Sequence, residues 1–305
     1  MIDSKKILTV ILIIAVLYIV SLGVSSILFS GANAKNKIAI IPINGPISLQ
    51  DTESFGIIPS TTSSETILEF IKKAKEDDSV KGVLLDINSP GGTAVASKEI
   101  AKAIGKLEKP VVAVIREVGA SGAYWIASAS DYIISDELSI TGSIGVIGSY
   151  LEFSKLFEEY GVTYQQLVGG EEKDIGIPYR ELKANEKIKL QSKINIIHDA
   201  FIQEVARNRN IPLEKTRELA TGIFYLGTEA KELGLVDGFG DKESGIAKIK
   251  ELAGIQEAAI IELKEEKTIL DILSLISSKL FYSLGMGFAR ELSIISTEQQ
   301  YSIKL

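Results

Sequence analysis

The sequence predicts an α/β layer fold behind an N-terminal transmembrane helix, and three observations carry that reading. Residues 7–29 are 23 positions without a charge, mostly Ile, Leu, Val and Ala, enough to cross a bilayer of about 30 Å as a helix. Beyond them, short and nearly continuous apolar runs at 80–87 and 111–115 have the composition of strands buried on both faces. Each run leads into a glycine-containing turn, Asn88 to Gly92 and Gly119 to Gly122, and then into an apolar or amphipathic helix. Strand, glycine turn and helix in repetition describe a sheet covered by helices. No G-x-G-x-x-G follows the first strand, so the pattern is not a dinucleotide-binding unit.

In chain order, residues 1–30 read as a membrane anchor and 31–37 as a short polar stem. Residues 38–263 read as the main domain and 264–305 as an amphipathic tail. Lys5 and Lys6 before the apolar span favour an inside amino end and a body outside the cytoplasm. Within the domain, 37–43 is a first strand and 50–64 a long polar loop, while 65–76 spaces Ile67, Phe70, Ile71 and Ala74 as an amphipathic helix. The strand at 80–87 precedes a helix near 93–107, and further strands fall at 111–115 and 132–134. A helix over 149–160 and a strand over 162–167 follow, then a glycine-rich loop at 169–178. Leu190, Ile194, Ile197, Phe201 and Val205 mark one long helix, on which His198 sits beside the apolar stripe as a structural residue. A break at Ile211 and Pro212, a shorter helix to Ala220, and a helix over 228–233 with a brief strand behind Gly234 complete the domain. The tail is densely apolar from Ile269 to Leu284 but interrupted by Gly285 and Gly287, which suits a helix on a membrane surface or a subunit contact better than a second span.

Composition narrows the chemistry. A net charge of −7 argues against nucleic acid as a partner, and the absence of Cys excludes thiol nucleophiles, disulfides and thiolate metal sites. With His198 the only histidine, a serine nucleophile would draw its general base from lysines or carboxylates. Ser121 stands where a buried strand gives way to an apolar helix, a position that serves either a nucleophile or a simple helix cap. Gly91 and Gly92 serve either as a tight strand-to-helix turn or as backbone donors to an oxyanion. Lys173, between glycines and the run Ile175, Gly176, Ile177, is either a surface lysine or a base whose amine is kept neutral by burial.

The residues Asn88-Ser89-Pro90-Gly91-Gly92, Ala120-Ser121-Gly122-Ala123-Tyr124, Leu138 to Ile147 and Gly227 to Asp237 together resemble the signal peptide peptidase A family, serine peptidases of the S49 type, in order over about residues 38–250. The resemblance implies a ClpP/crotonase-like fold of repeated β-β-α units and a Ser/Lys dyad in which Ser121 is the nucleophile and Lys173 the general base. Ser143 would orient the lysine, and Gly92 and Gly122 would form the oxyanion hole. It implies no cofactor and no metal, a hydrophobic peptide such as a remnant signal peptide as substrate, and a ring- or dome-shaped homo-oligomer in which Ser121 and Lys173 meet either within one chain or across two neighbouring subunits. With the anchor, the expected protein is a single-pass, membrane-bound serine endopeptidase. A related peptidase family acting on stomatin-like membrane proteins, a non-catalytic assembly protein and, less closely, a crotonase-type acyl-CoA enzyme are the other readings. The chain departs from the family at Ala123, where a second Gly is usual, at Trp125, where Tyr is frequent, and at Asp86 to Asn88, where a basic residue often leads into the turn.

Overall fold

The computed structural model describes residues 13, 15–20, 35–50 and 61–264. Its frame is a sheet in the order β10-β1-β4-β5-β6-β9, formed by β1 (Lys37–Asn44), β4 (Val80–Ser89), β5 (Val111–Ala120), β6 (Tyr132–Ser135), β9 (Gly238–Phe239) and β10 (Ala259–Glu262), with every neighbour parallel. The central strands are apolar on both faces because both faces are covered. Ala39, Ile41, Val83, Leu85, Val111 and Ala113 point into the larger core, where they meet α1 (Ser64–Glu76), α2 (Ala94–Ile104) and α3 (Gly122–Ser128). Their alternates Ile38, Ile40, Leu84, Val112 and Val114 point the other way, onto Ile249 of α8 (Lys242–Ala253). A small parallel pair, β2 (Ile47–Ser48) with β3 (Thr62–Ser63), lies beside this sheet.

The predicted elements over 65–76, 80–87, 93–107 and 132–134 appear close to their expected bounds. Strand β5 runs five residues beyond the apolar run, through Arg116 and Glu117 to Ala120, because it changes partners: Val112 to Ile115 pair with β6, and Val118 to Ala120 pair with β7 (Ile140–Gly142). Strand β7 is in turn joined antiparallel by β8 (Phe224–Leu226). The helix expected over 149–160 is reduced to α4 (Ser154–Glu159), and the strand expected over 162–167 does not form. The Val-Thr-Tyr composition there favours extended chain, but a strand needs a neighbour to bond, and among the described residues none runs alongside. The long helix is α5 (Ala184–Arg209), ended by Asn210 in the left-handed conformation at φ 52°, with α6 (Leu213–Leu219) and α7 (Gly227–Glu232) after it.

The expected N-terminal transmembrane helix is corrected by the structure. Among the described residues no helix is long and apolar enough to cross a membrane. The described helix that has the length, α5, carries Glu186, Lys187, Lys189 and Lys193 in its first three turns. The membrane as a partner and the single-pass, extracytoplasmic placement fall with that helix. The rest of 7–29, residues 51–60 of the expected polar loop and residues 265–305 of the expected amphipathic tail lie outside the described residues.

Candidate active site

Ser121 occupies the turn between β5 and α3 with φ 52° and ψ −124°. A side chain in that conformation is strained, typically by about 1–3 kcal/mol, and persists only where its surroundings impose it. They do so here: the Ser121 N–H donates to the Gly142 carbonyl at 2.8 Å, and its own carbonyl accepts the Trp125 N–H at 2.9 Å. Helix α3 behind it is buried at every position. Trp125 stacks on Phe201 of α5 at 4.4 Å and donates its indole N–H to Glu204 at 2.8 Å, while the Tyr124 hydroxyl reaches the Leu235 carbonyl at 2.8 Å. Burial pushes the Tyr124 hydroxyl well above its usual pKa, so it stays a neutral donor. The side chain of Ser121 caps no helix N–H, which sets aside the simple capping role.

The first glycine turn is pressed against this serine. Gly91 has φ +99°, and a methyl group there would lie 2.7 Å from the Gly122 nitrogen and 2.9 Å from Ser121 Cβ. The turn is pinned from behind, since Ile47 N–H donates to Gly91 O and Thr93 N–H to Ile47 O, both at 2.9 Å, and the buried Ser89 hydroxyl accepts the Gly91 N–H. A methyl group on Gly122 would lie 3.1 Å from the amide nitrogen of Gly92. The two backbone amides thus adjoin each other beside Ser121, and among the described residues neither N–H has a protein acceptor. An oxygen carrying developing negative charge is the group such a pair is suited to receive.

Ser143 follows Gly142 directly and is, with Ser121 and Asn210, one of three non-glycine residues with positive φ among those described. Its hydroxyl donates to Gly222 O at 3.1 Å and its N–H to Ile223 O at 3.0 Å. One residue on, the Ile144 carbonyl lies 3.2 Å from His198 Nε2, so the lone histidine of the chain holds this segment to α5, in keeping with its structural reading.

Lys173 lies elsewhere. It belongs to a series of turns at 171–176, is exposed, and among the described residues its ammonium has no hydrogen-bond or ion-pair partner. The contacts along α5 show the separation. Arg180 and Glu172 are anchored at Glu186 and Lys189, the Ile194 side chain packs at Gly148, His198 holds Ile144, and Phe201 with Glu204 hold Trp125. At 1.5 Å per residue the two ends of that series, Glu186 and Glu204, are about 27 Å apart, well beyond the reach of one lysine side chain. The structure therefore brings Ser121, Gly92 and Gly122 together with Ser143 close by, and leaves Lys173 of the same chain outside the group. Among the described residues, its own chain does not supply the apolar enclosure expected around the lysine.

Sequence reading missed the ionic cluster next to Lys173. Arg180 donates from Nε to Asp174 and from both terminal nitrogens to Glu186, each at 2.8 Å, and Glu186 also accepts the Lys183 N–H at 2.9 Å. Only Glu186, three residues into the start of a helix, carried a local signal; Arg180 carried none. Hydrogen bonds from Arg180 hold the Glu186 carboxyl down at about 2, and that of Asp174 also well below the usual carboxylate range. Since Glu186 is depressed from an ordinary value of 4.5, its contribution to stability is complete above about pH 4.5 and lost as pH falls toward 2. Glu186→Gln is therefore expected to be less stable than the parent at pH 7 and equal to it near pH 2; urea midpoints at the two pH values check this, and a constant difference would show that the charge is not involved.

The model of peptidase family S49 matches residues 103–256, and that of the ClpP-like SDH-type serine proteinases matches residues 34–155. The chain is similar to a putative protease of Methanocaldococcus jannaschii, with 33% identity over 94% of this chain and 95% of that protein. It is 38% identical to a putative signal peptide peptidase of Enterococcus faecium over 78% of this chain and 70% of the relative. Protease 4 of Haemophilus influenzae is 34% identical over 81% of this chain, which spans 40% of that longer protein.

Proposed function

Because the chain belongs to peptidase family S49, and is thereby a serine endopeptidase acting on peptides, we propose that it cleaves hydrophobic peptides, remnant signal peptides among them, by an acyl-enzyme mechanism on Ser121 and Lys173. The observation that carries the proposal is the strained Ser121 turn set against the open amides of Gly92 and Gly122. A scaffold without catalysis gains nothing from that strain, whereas a nucleophile gains a fixed, accessible hydroxyl.

In this reading neutral Lys173 takes the proton from Ser121 Oγ as the oxygen attacks the scissile carbonyl carbon. The carbonyl oxygen becomes the oxyanion and is held by the N–H groups of Gly92 and Gly122. The ammonium then passes its proton to the departing amine, leaving an ester on Ser121. A water that gives its proton to the same lysine attacks that ester, and return of the proton to Ser121 Oγ releases the carboxylic product. The distance along α5 supports delivery of the lysine by a neighbouring copy of the chain, where Ser143 would accept its second hydrogen bond. A hydrophobic substrate is supported by the exposed apolar side chains of Leu49, Val95 and Phe224, on segments that border the glycine turn and Gly142. The name of the Enterococcus faecium relative points the same way. Labelling the protein with a serine-acylating probe and mapping the adduct is expected to place it on Ser121; an adduct on another serine overturns the assignment.

A further inference from the structure

The turn that carries Lys173 has little to hold it. Gly169, Gly170 and Gly176 surround it, the latter two with φ +102° and +83°, and its own backbone bonds are short-range ones such as Lys173 N–H to Gly170 O at 3.1 Å. Beside a hydrogen bond between Gln166 and Asp174, two ion pairs among the described residues join it to the start of α5, one on each side of the lysine. Glu172 pairs with Lys189, both half exposed, an arrangement that contributes little. Asp174 pairs with Arg180, whose guanidinium simultaneously takes Glu186 in a two-pronged contact. The side chains of Asp174 and Glu186 are 12% and 4% exposed, so this second tie is largely shielded from solvent. One face of the guanidinium fork serves the turn and the other serves the helix, which an ammonium cannot reproduce.

We propose that Arg180, acting through Asp174, is a positioning residue that sets the place from which the Lys173 amine is presented to Ser121. The proposal rests on the dyad reading above. The clamp grips the residue next to the lysine, so among the described residues the lysine itself has no partner and is available to a site outside its own turn. A displacement of about 1 Å at a proton acceptor costs on the order of 10²-fold in rate.

Two variants separate this from a purely structural role. Asp174→Asn takes the charge out of the tie to the turn, leaving at most a neutral amide oxygen to accept the Arg180 Nε–H, and leaves the Arg180 to Glu186 contact and the start of α5 in place; Arg180→Lys keeps the charge and loses the fork. With a hydrophobic fluorogenic peptide and the full-length chain, each is expected to lower kcat by about 10–100-fold at unchanged KM and unchanged thermal midpoint for Asp174→Asn. The rate at which the acylating probe labels Ser121 is expected to fall in parallel. In a Lys173→Ala background, Asp174→Asn is expected to slow labelling no further, because the group it positions is already gone. Wild-type kcat in both variants, with Lys173→Ala inactive, overturns the clamp and leaves the dyad standing. The same fractional loss with and without Lys173 also overturns it, by assigning the cluster to the fold alone. Full activity of Lys173→Ala removes the dyad, and the clamp with it.

Discussion

Ser121→Ala and Lys173→Ala are each expected to lower peptide hydrolysis by about six orders of magnitude, the range seen when a nucleophile or its base is removed from a serine hydrolase, and the two inactive chains co-expressed are expected to recover activity. The recovery follows from the layout along α5. The turn bearing Lys173 is anchored at Glu186 and Lys189, and the helix behind Ser121 at Phe201 and Glu204. If the lysine of one copy serves the serine of another, a chain lacking Ser121 still donates its lysine and a chain lacking Lys173 still offers its serine. Pairs in one orientation are then complete, and the mixture reaches a sizeable fraction of wild-type turnover. Labelling of Ser121 in the mixture should appear only on the chain that lacks the lysine. Two inactive variants that stay inactive together would place the dyad inside one chain, reached by movement of the 171–176 turn. Wild-type turnover in Ser121→Ala would end the serine-nucleophile reading.

Gly92→Ala is expected to abolish labelling of Ser121 and to weaken the fold at once. A methyl group on Gly92 would sit 1.9 Å from the carbonyl oxygen of Ile47 and 2.5 Å from its nitrogen. Both are backbone atoms of a segment bonded on each side of the turn, so no side-chain rotation relieves the overlap. The turn must move, which opens the Ile47 bonds to Gly91 and Thr93 at a cost of about 1 kcal/mol each, and carries the Gly92 amide away from Gly122. Loss of one such donor alone lowers kcat by about 10²–10³-fold. Gly105→Ala provides the contrast. Its φ is −64° and an added methyl meets only Ala101 O at an ordinary 3.6 Å, so activity and thermal midpoint should stay at wild-type levels. A Gly92→Ala protein that labels at the normal rate would remove Gly92 from the oxyanion hole.

Much of the sheet was legible because its strands are covered on both faces, and a continuous apolar run such as Val111 to Ile115 signals that without knowing its partners. The polar pair Arg116 and Glu117 looked like a strand end and is instead the point where β5 passes from β6 to β7, a change that depends on residues about 20 positions downstream. The run at 162–167 had strand composition and, among the described residues, no neighbour to pair with. Ser121 was legible as a position, being a serine between a strand and a helix with glycines on either side, but its strain was not; that comes from Gly142 and Trp125 holding its backbone at two points. Arg180 was not legible at all, since its two partners lie six residues away in opposite directions and only folding turns both toward one guanidinium.

Local chemistry in the chain determined which residues are able to react and which turns lead into which helices: the lack of thiols, the single histidine, and the glycines at 91, 92 and 122 are properties of the string itself. Proximity was decided by the folded chain, because it depends on how far each segment lies along a rigid helix. Helix α5 keeps its spacing whatever surrounds it, so it holds the serine with its amides at one level and the lysine at another, a separation that no count of intervening residues reveals.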